Sequence, residues 1–266
     1  MAAPPSLWQL AVRDLRDGVL MWPLWMQLGW EDIRQRYRRS LLGPFWISLS
    51  MLVMVIGLGS LYSQIMQQNM REYFPFLTLG LVFWQLFGDL LRDGCQTFLQ
   101  QEGFILQIKV PFSSHVHRVI WRQLVVTAHN IVIYVPVALL FQVWPTPATL
   151  LVIPGLALWV INAAWAILLL GALSTRFRDV PPLVGSLLQI VFFMSPILWV
   201  PATLGIHARL VELNPVYHFL ELVRAPLMGR FPDPWSWAAA LGLAVLGWGV
   251  TLPFFARFRA RLAFWL

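Results

Sequence analysis

Few side chains in this sequence are equipped for chemistry, and their spacing argues against most reactions. Asp89 and Asp93 are an acidic pair four residues apart, and so on one face if the segment is helical. Two carboxylates so placed could share acid and base duties in a glycosyl or acyl transfer; the solvated end of a helix accounts for them equally well. The five histidines, His115, His117, His129, His207 and His218, are scattered. His115 and His117 stand two apart, on different faces of a helix, which argues against a shared metal. His129 falls within an apolar run. An ionisable group at such depth is a functional candidate by default, although a neutral imidazole bonded to a neighbouring helix is the commoner case. Cys95 is the single cysteine, so no intrachain disulfide is available, and it reads as a small buried side chain. No G-x-x-x-x-G-K-[ST], H-E-x-x-H, C-x-x-C or G-x-S-x-G occurs. Arg36, Arg38 and Arg39 remain, a cluster suited to bidentate phosphate contact but also to lipid snorkelling.

The elements that must carry these residues are membrane spans. No charged residue lies between Arg39 and Arg71, Arg122 and Arg176, Asp179 and Arg209, or Asp233 and Arg257. A charge at mid-bilayer costs about 2.5–3.5 kcal/mol on insertion scales. Runs that exclude charge over ~20 residues are read as spans. The chain is 59% hydrophobic and 12% charged, against about 25% charged in a soluble domain. The fold class is therefore an all-α membrane protein in one domain over residues 1–266, with an interface region at 1–39 and a bundle at 40–266. Six spans are expected: Leu41–Leu61, Phe74–Leu91, Leu124–Val143, Leu150–Leu173, Val180–Trp199 and Trp235–Phe255. Span two is read as short, ending near Asp89. The run from Gln123 to Thr175 exceeds one helix, and Pro145 and Pro147 divide it.

Six spans put both termini on one side. Of the 19 Lys and Arg residues, only Arg71, Arg209, Arg224 and Arg230 then fall on the other. The positive-inside rule makes the termini cytoplasmic. The net charge of +7 then serves topology and anionic headgroups rather than nucleic acid. No Asp, Glu, Lys or Arg lies deep in a span, which disfavours ion-driven carriers.

Between Leu7 and Arg39, apolar residues recur every three or four positions among charges, the pattern of a helix lying along the interface; Pro23 should bend or divide it. The 92–111 loop has room for a short cytoplasmic helix, and the 174–182 turn is very short. The outer segment 201–234 holds apolar pieces too short to span, cut at Asn214-Pro215 and Ala225-Pro226. Arg209 with Glu212 and Glu221 with Arg224 stand at helical spacing. The segment reads as re-entrant or interfacial short helices. Tryptophans and tyrosines, Trp46, Tyr62, Trp84 and Trp199 among them, crowd the spans and their ends. Most suit an interfacial belt; some could stack on the apolar faces of sugar rings.

Three stretches carry a resemblance: Arg36-Tyr-Arg-Arg-Ser-Leu-Leu-Gly-Pro-Phe-Trp46, Phe177-Arg-Asp-Val180 leading to Phe193-Met-Ser-Pro-Ile-Leu-Trp199, and Asn214-Pro-Val-Tyr-His-Phe-Leu-Glu-Leu-Val-Arg224. In order and spacing the chain resembles the permease subunit of type-2 ABC exporters of O-antigen, capsule and teichoic-acid polysaccharides. The resemblance implies a homodimeric channel in the bacterial inner membrane and two separate ATPase subunits that hold ATP and magnesium. It also implies a lipid-linked glycan cargo, and no catalysis or cofactor in this chain. ATPase docking would fall on Gln100, Glu102 and Phe104, with Arg176, Arg178 and Asp179 as a second contact. Arg36, Arg38 and Arg39 would meet the diphosphate headgroup. Asn214, Pro215, Tyr217, Glu221 and Arg224 would belong to an outer gate, and Trp46, Tyr62, Trp84 and Trp199 could face the glycan. The rival readings are a type-2 permease for a drug or lipid and, more remotely, a membrane-embedded glycosyl- or acyltransferase.

Overall fold

The computed structural model describes residues 5–38 and 45–266, and among them every regular element is a helix. Helix α1 (Leu7–Leu20) starts at a capping box: Ser6 Oγ accepts from Gln9 N at 3.2 Å, and Gln9 Oε1 accepts from Ser6 N at 2.8 Å. Met21 separates it from α2 (Trp22–Tyr37). Pro23 falls in the first turn of α2, where a missing amide is harmless, so the expected division is found.

Then come α3 (Phe45–Ile65), α4 (Met70–Gln96), a 3-10 turn at Leu99–Gln101 and the short α5 (Glu102–Gln107). Helix α6 (Phe112–Asn130) continues through a 3-10 turn into α7 (Tyr134–Leu140). Pro136 withholds the amide that residue 132 would have bonded, and the ladder tightens there. A 3-10 turn at Pro147–Leu151 opens α8 (Val152–Arg176), and α9 (Val180–Met194) follows. The outer segment is a 3-10 run at Pro201–Leu213, kinked at Gly205, and then α10 (Pro215–Leu227). The closing helix α11 spans Pro234–Trp265.

Helix α4 is the axis of the bundle. Leu77, Leu79, Leu81, Val82, Phe83 and Leu86 are each at most 2% exposed, packed among α3, α6, α8, α9 and α10. Helix α8 lies against α11, with Gly247 admitting the Trp165 ring where a Cβ would come within 2.1 Å of it. Helices α1 and α2 are not free on a surface: both pack along α6, and α1 also meets α11. Outward faces of α3 (Val53, Ile56, Ile65), α9 (Leu183, Ile190, Phe193) and α11 (Val245, Val250) are exposed and apolar, as surfaces that meet lipid or another membrane helix are.

Five helical stretches among the described residues have the length and composition to cross a membrane: Ser48–Ile65, Met70–Gln96, Phe112–Leu140, Pro147–Arg176 and Pro234–Trp265. Several expected boundaries need correction. Span two is not short; α4 has 27 residues and runs past Asp89 to Gln96. Span three begins at Phe112 rather than Leu124, and the last helix continues ten residues beyond Phe255. Where they outrun the charge-free stretches, α4 and α6 pair Asp93 with Arg122 and α11 pairs Arg259 with Asp14. Helix α9 instead falls short. It stops at Met194 because Pro196 cannot continue it. Its 15 residues measure ~22 Å at 1.5 Å each, against ~30 Å of hydrocarbon. In the outer segment the break at Asn214-Pro215 is present, but Ala225-Pro226 makes none: Pro226 lies inside α10. The side chain of Arg209 lies outside the described residues.

Candidate functional site

Polar side chains concentrate at the two ends of the bundle. At one end Asp32 of α2 receives a two-pronged bond from Arg118, Nε at 2.9 Å and Nη2 at 2.5 Å, and a third bond from Arg122 Nη1 at 3.0 Å. Arg118 and Arg122 are four apart on α6 and project together. Arg122 Nη2 reaches on to Asp93 of α4 at 2.7 Å, and Gln123 Nε2 donates to the same carboxylate at 2.5 Å. Arg118 Nη1 donates to Gln101 Oε1 at 2.8 Å. Two arginines and two aspartates balance, and both arginine side chains are only 11–12% exposed. Asp93, read from sequence as half of an acidic pair, is an acceptor in this lattice; Asp89 pairs separately with Arg92 at 2.9 Å.

Beside it, Asp14 of α1 is 2% exposed. Its carboxylate accepts from Phe112 N at 3.2 Å and Ser113 N at 3.0 Å, and from Arg259 Nε of α11 at 2.7 Å. Helix α6 follows Pro111, which has no capping side chain, and so takes its cap from another helix. An anion at this position also meets the positive end of the α6 dipole.

At the opposite end, the unwound chain after α9 is held by its carbonyls. Tyr73 Oη of α4 donates to Leu198 O at 2.6 Å, Asn214 Nδ2 to Met194 O at 3.3 Å and Ser195 Oγ at 2.9 Å, and Arg224 Nη1 of α10 to Pro196 O at 2.7 Å. Arg224 is 1% exposed, lies 4.0 Å over the Phe76 ring and pairs with Glu221 at 3.3 Å. Burial draws its guanidinium down from the ordinary value and Glu221 opposes this; arginine keeps its charge regardless. Burial, reinforced by Glu221, raises the Tyr217 phenol. His218, also buried, bonds Ser236 Oγ at 3.0 Å and Glu212 O at 2.7 Å.

Of the sequence-derived candidates, Gln100 and Glu102 are exposed on the 99–107 segment, and Phe104 packs edge-on to His115. Arg176, Arg178 and Asp179 form an exposed turn, with Arg176 5.9 Å over the Trp265 ring at the same end of the molecule. Arg36 and Arg38 are exposed at the end of α2; Arg39 lies outside the described residues. At the far end Asn214 holds Met194 and Ser195 while Arg224, paired with Glu221, holds Pro196; Pro215 is exposed and Tyr217 half-buried. The four aromatics do not share one place. Trp46 and Tyr62 sit toward opposite ends of α3, and Trp84 stacks with Phe87 and Phe192. Trp199 lines an apolar cavity of about 770 Å³ between α9 and the 210–216 stretch. His129 bonds Val125 O of its own helix at 2.9 Å, not a neighbouring helix as expected.

Sequence reasoning missed Asp14, Asp32, Tyr73 and the joint role of Arg118 and Arg122. A usable signal existed: two arginines at i and i+4 leading into an apolar run, with unassigned aspartates nearby.

A helical bundle with at least five membrane-length apolar helices and polar ends defines a multi-pass membrane protein. Residues 23–228 match the ABC-2 type transporter family, and the chain belongs to it. It is 26% identical over 238 residues to the O-antigen export system permease protein RfbA of Myxococcus xanthus, covering 85% of this chain and 89% of that protein. It is 24% identical over 181 residues to the protein of the same name from Klebsiella pneumoniae, covering 64% and 66%. Members of this family are the membrane part of ABC transporters, machines that work with an ATPase.

Proposed function

We propose that the chain is the transmembrane subunit of an ATP-driven exporter of lipid-linked polysaccharide in a bacterial inner membrane. Its extended similarity to an O-antigen export permease carries this reading. Two copies form the channel, and two ATPase subunits with ATP and magnesium dock on the cytoplasmic face. The geometry supports six crossings. Asp14 near the N-terminus meets Arg259 near the C-terminus, so both termini belong to one end. The chain leaves that end at Arg176 and reaches Tyr73 at the other by Leu198. In this reading α9 and the unwound residues after it complete a crossing that the helix alone is too short to make.

Gln100, Glu102 and Phe104 serve as the main docking surface, with Arg176, Arg178 and Asp179 as the lesser contact. Arg36, Arg38 and Arg39 receive the diphosphate headgroup. Asn214, Pro215, Tyr217, Glu221 and Arg224 hold the outer gate, and the exposed apolar faces of α3 and α9 meet the second copy. Trp84 and Trp199 are the aromatics best placed to meet a glycan. Deleting the gene in its own bacterium should abolish surface polysaccharide and strand the lipid-linked glycan on the cytoplasmic leaflet. Surface glycan at the parental level would overturn the reading.

A further inference from the structure

The segment 99–107 is thinly attached to the rest of the bundle. Helix α5 has six residues and none is buried. Its neighbours along the chain bond only locally, Gln101 N to Phe98 O and Ile108 N to Phe104 O. Among the described residues, one side-chain hydrogen bond ties the segment to another element, from Arg118 Nη1 to Gln101 Oε1 at 2.8 Å. Apart from it the attachment is apolar: Phe104 rests its ring edge-on at 5.8 Å against His115, and half-buried Ile105 packs against the core.

Arg118 is also the arginine whose other two nitrogens grip Asp32 of α2, and Asp32 is shared with Arg122, which grips Asp93 of α4. One guanidinium fork thus spends all three nitrogens on fixed acceptors from two elements. A fork so engaged is held in distance and in orientation, whereas apolar contacts alone allow sliding. The same seam has an aromatic flank, Trp25 against His117 at 5.6 Å and Trp121 at 6.4 Å.

We propose that Arg118 is a positioning residue that clamps the 99–107 segment to α2, α4 and α6, so that a displacement of that segment moves the three helices as one body. The proposal rests on the reading of 99–107 as the ATPase-docking surface. Gln101 is the transmission pin: its bond is the single polar link that lets a push on α5 reach the arginine lattice. Coupling by this route makes the exposed 176–179 turn, which forms no ion pair among the described residues, a secondary contact.

The test uses the full chain, purified with its neighbouring-gene ATPase subunit and placed in nanodiscs. Spin labels go at Gly103, where a side chain meets nothing within 4 Å, and at exposed Gln35 of α2, on a Cys95→Ser background. Labelled chain is diluted with unlabelled chain so that one copy per complex reports. With the clamp intact, the label separation is narrow and identical in the nucleotide-free and vanadate-trapped states. Gln101→Ala should broaden it and open a difference between the two states. In the bacterium the same variant should lower surface polysaccharide about tenfold, a coupling loss within the ordinary range. Gln101→Glu keeps both the bulk and an acceptor for Arg118 and should behave as wild type, whereas Gln101→Met keeps the bulk without the amide acceptor and should match Gln101→Ala. Arg118→Gln, if it inserts, should match Gln101→Ala. A Gln101→Ala separation as narrow and as nucleotide-insensitive as wild type overturns the clamp. Failure of the unsubstituted chain to co-purify with any ATPase overturns instead the underlying reading of 99–107.

Discussion

Asp14 binds four things with one carboxylate and its own carbonyl: two α6 amides, the Ser113 hydroxyl and Arg259. Because α6 has no cap of its own, loss of this group exposes two amides and frees an arginine. Asp14→Ala should cost about 3 kcal/mol, the scale for breaking a buried pair. Arg259→Ala should cost less, since that side chain is 29% exposed and the amides stay capped. Thermal unfolding in detergent orders the two; equal losses would mean that the ion pair, not the cap, dominates. The docking surface gives a second prediction at this scale. Exposed Glu102 and Asp179 make no bond that holds the fold, so replacing both with alanine should leave insertion intact. Export should fall about tenfold for the loss of about 1.4 kcal/mol of coupling, while the ATPase still hydrolyses ATP. Undiminished export would remove these residues from the docking surface. The exposed members of the candidate site were legible in sequence because they lie in short charged loops. Asp14, Asp32 and Asp93 were not, because what sets their role is an arginine from a distant part of the chain.

Element boundaries follow the same logic. A single sequence marks a span by the absence of charge, yet α4 and α6 keep their charges and bury them by pairing across the seam between them. Helix existence was legible throughout; the extra turns were not. The proline signals were read correctly where the chain also lacks a neighbour to restore the bond, as at Met21, Gln142–Pro147 and Asn214. At Pro226 the reading failed, because proline near the C-terminus of α10 still lets the ladder run to Leu227. The end of α9 shows the reverse case: Pro196 stops the helix, and side chains take over its carbonyls. The Tyr73 hydroxyl holds Leu198 O at 2.6 Å. Tyr73→Phe keeps the ring packing and removes that donor, at about 1 kcal/mol. A cysteine placed at Trp199 should then react faster with a membrane-impermeant thiol reagent from the outer side. An unchanged rate would show that Arg224 and Asn214 suffice to hold the segment.

At the scale of the whole molecule, the ion pair between α1 and α11 constrains topology more tightly than hydropathy does. Helix length and hydropathy together return five long helices among the described residues, and five crossings would separate the termini by the full thickness of a bilayer. Asp14 and Arg259 are 2.7 Å apart, which supports the proposed even number of crossings. Arg71, bonded to Phe141 O at 3.2 Å and to Gln142 Oε1 at 2.6 Å, marks the other end, where Thr146 also meets Gly229. In the proposed reading every long helix connects these two polar rims, and the stretch from Arg176 through α9 to Leu198 does so with its last residues unwound. Single cysteines at Arg13 and Arg261 should therefore be labelled only from the cytoplasmic side, and those at Gln142 and Arg230 only from the opposite side. All four positions are exposed, so access depends on the compartment rather than on burial. Labelling of Arg13 and Arg261 from different sides would make the crossing number odd. The Asp14–Arg259 contact could not then form within one chain, and α9 could not be a crossing.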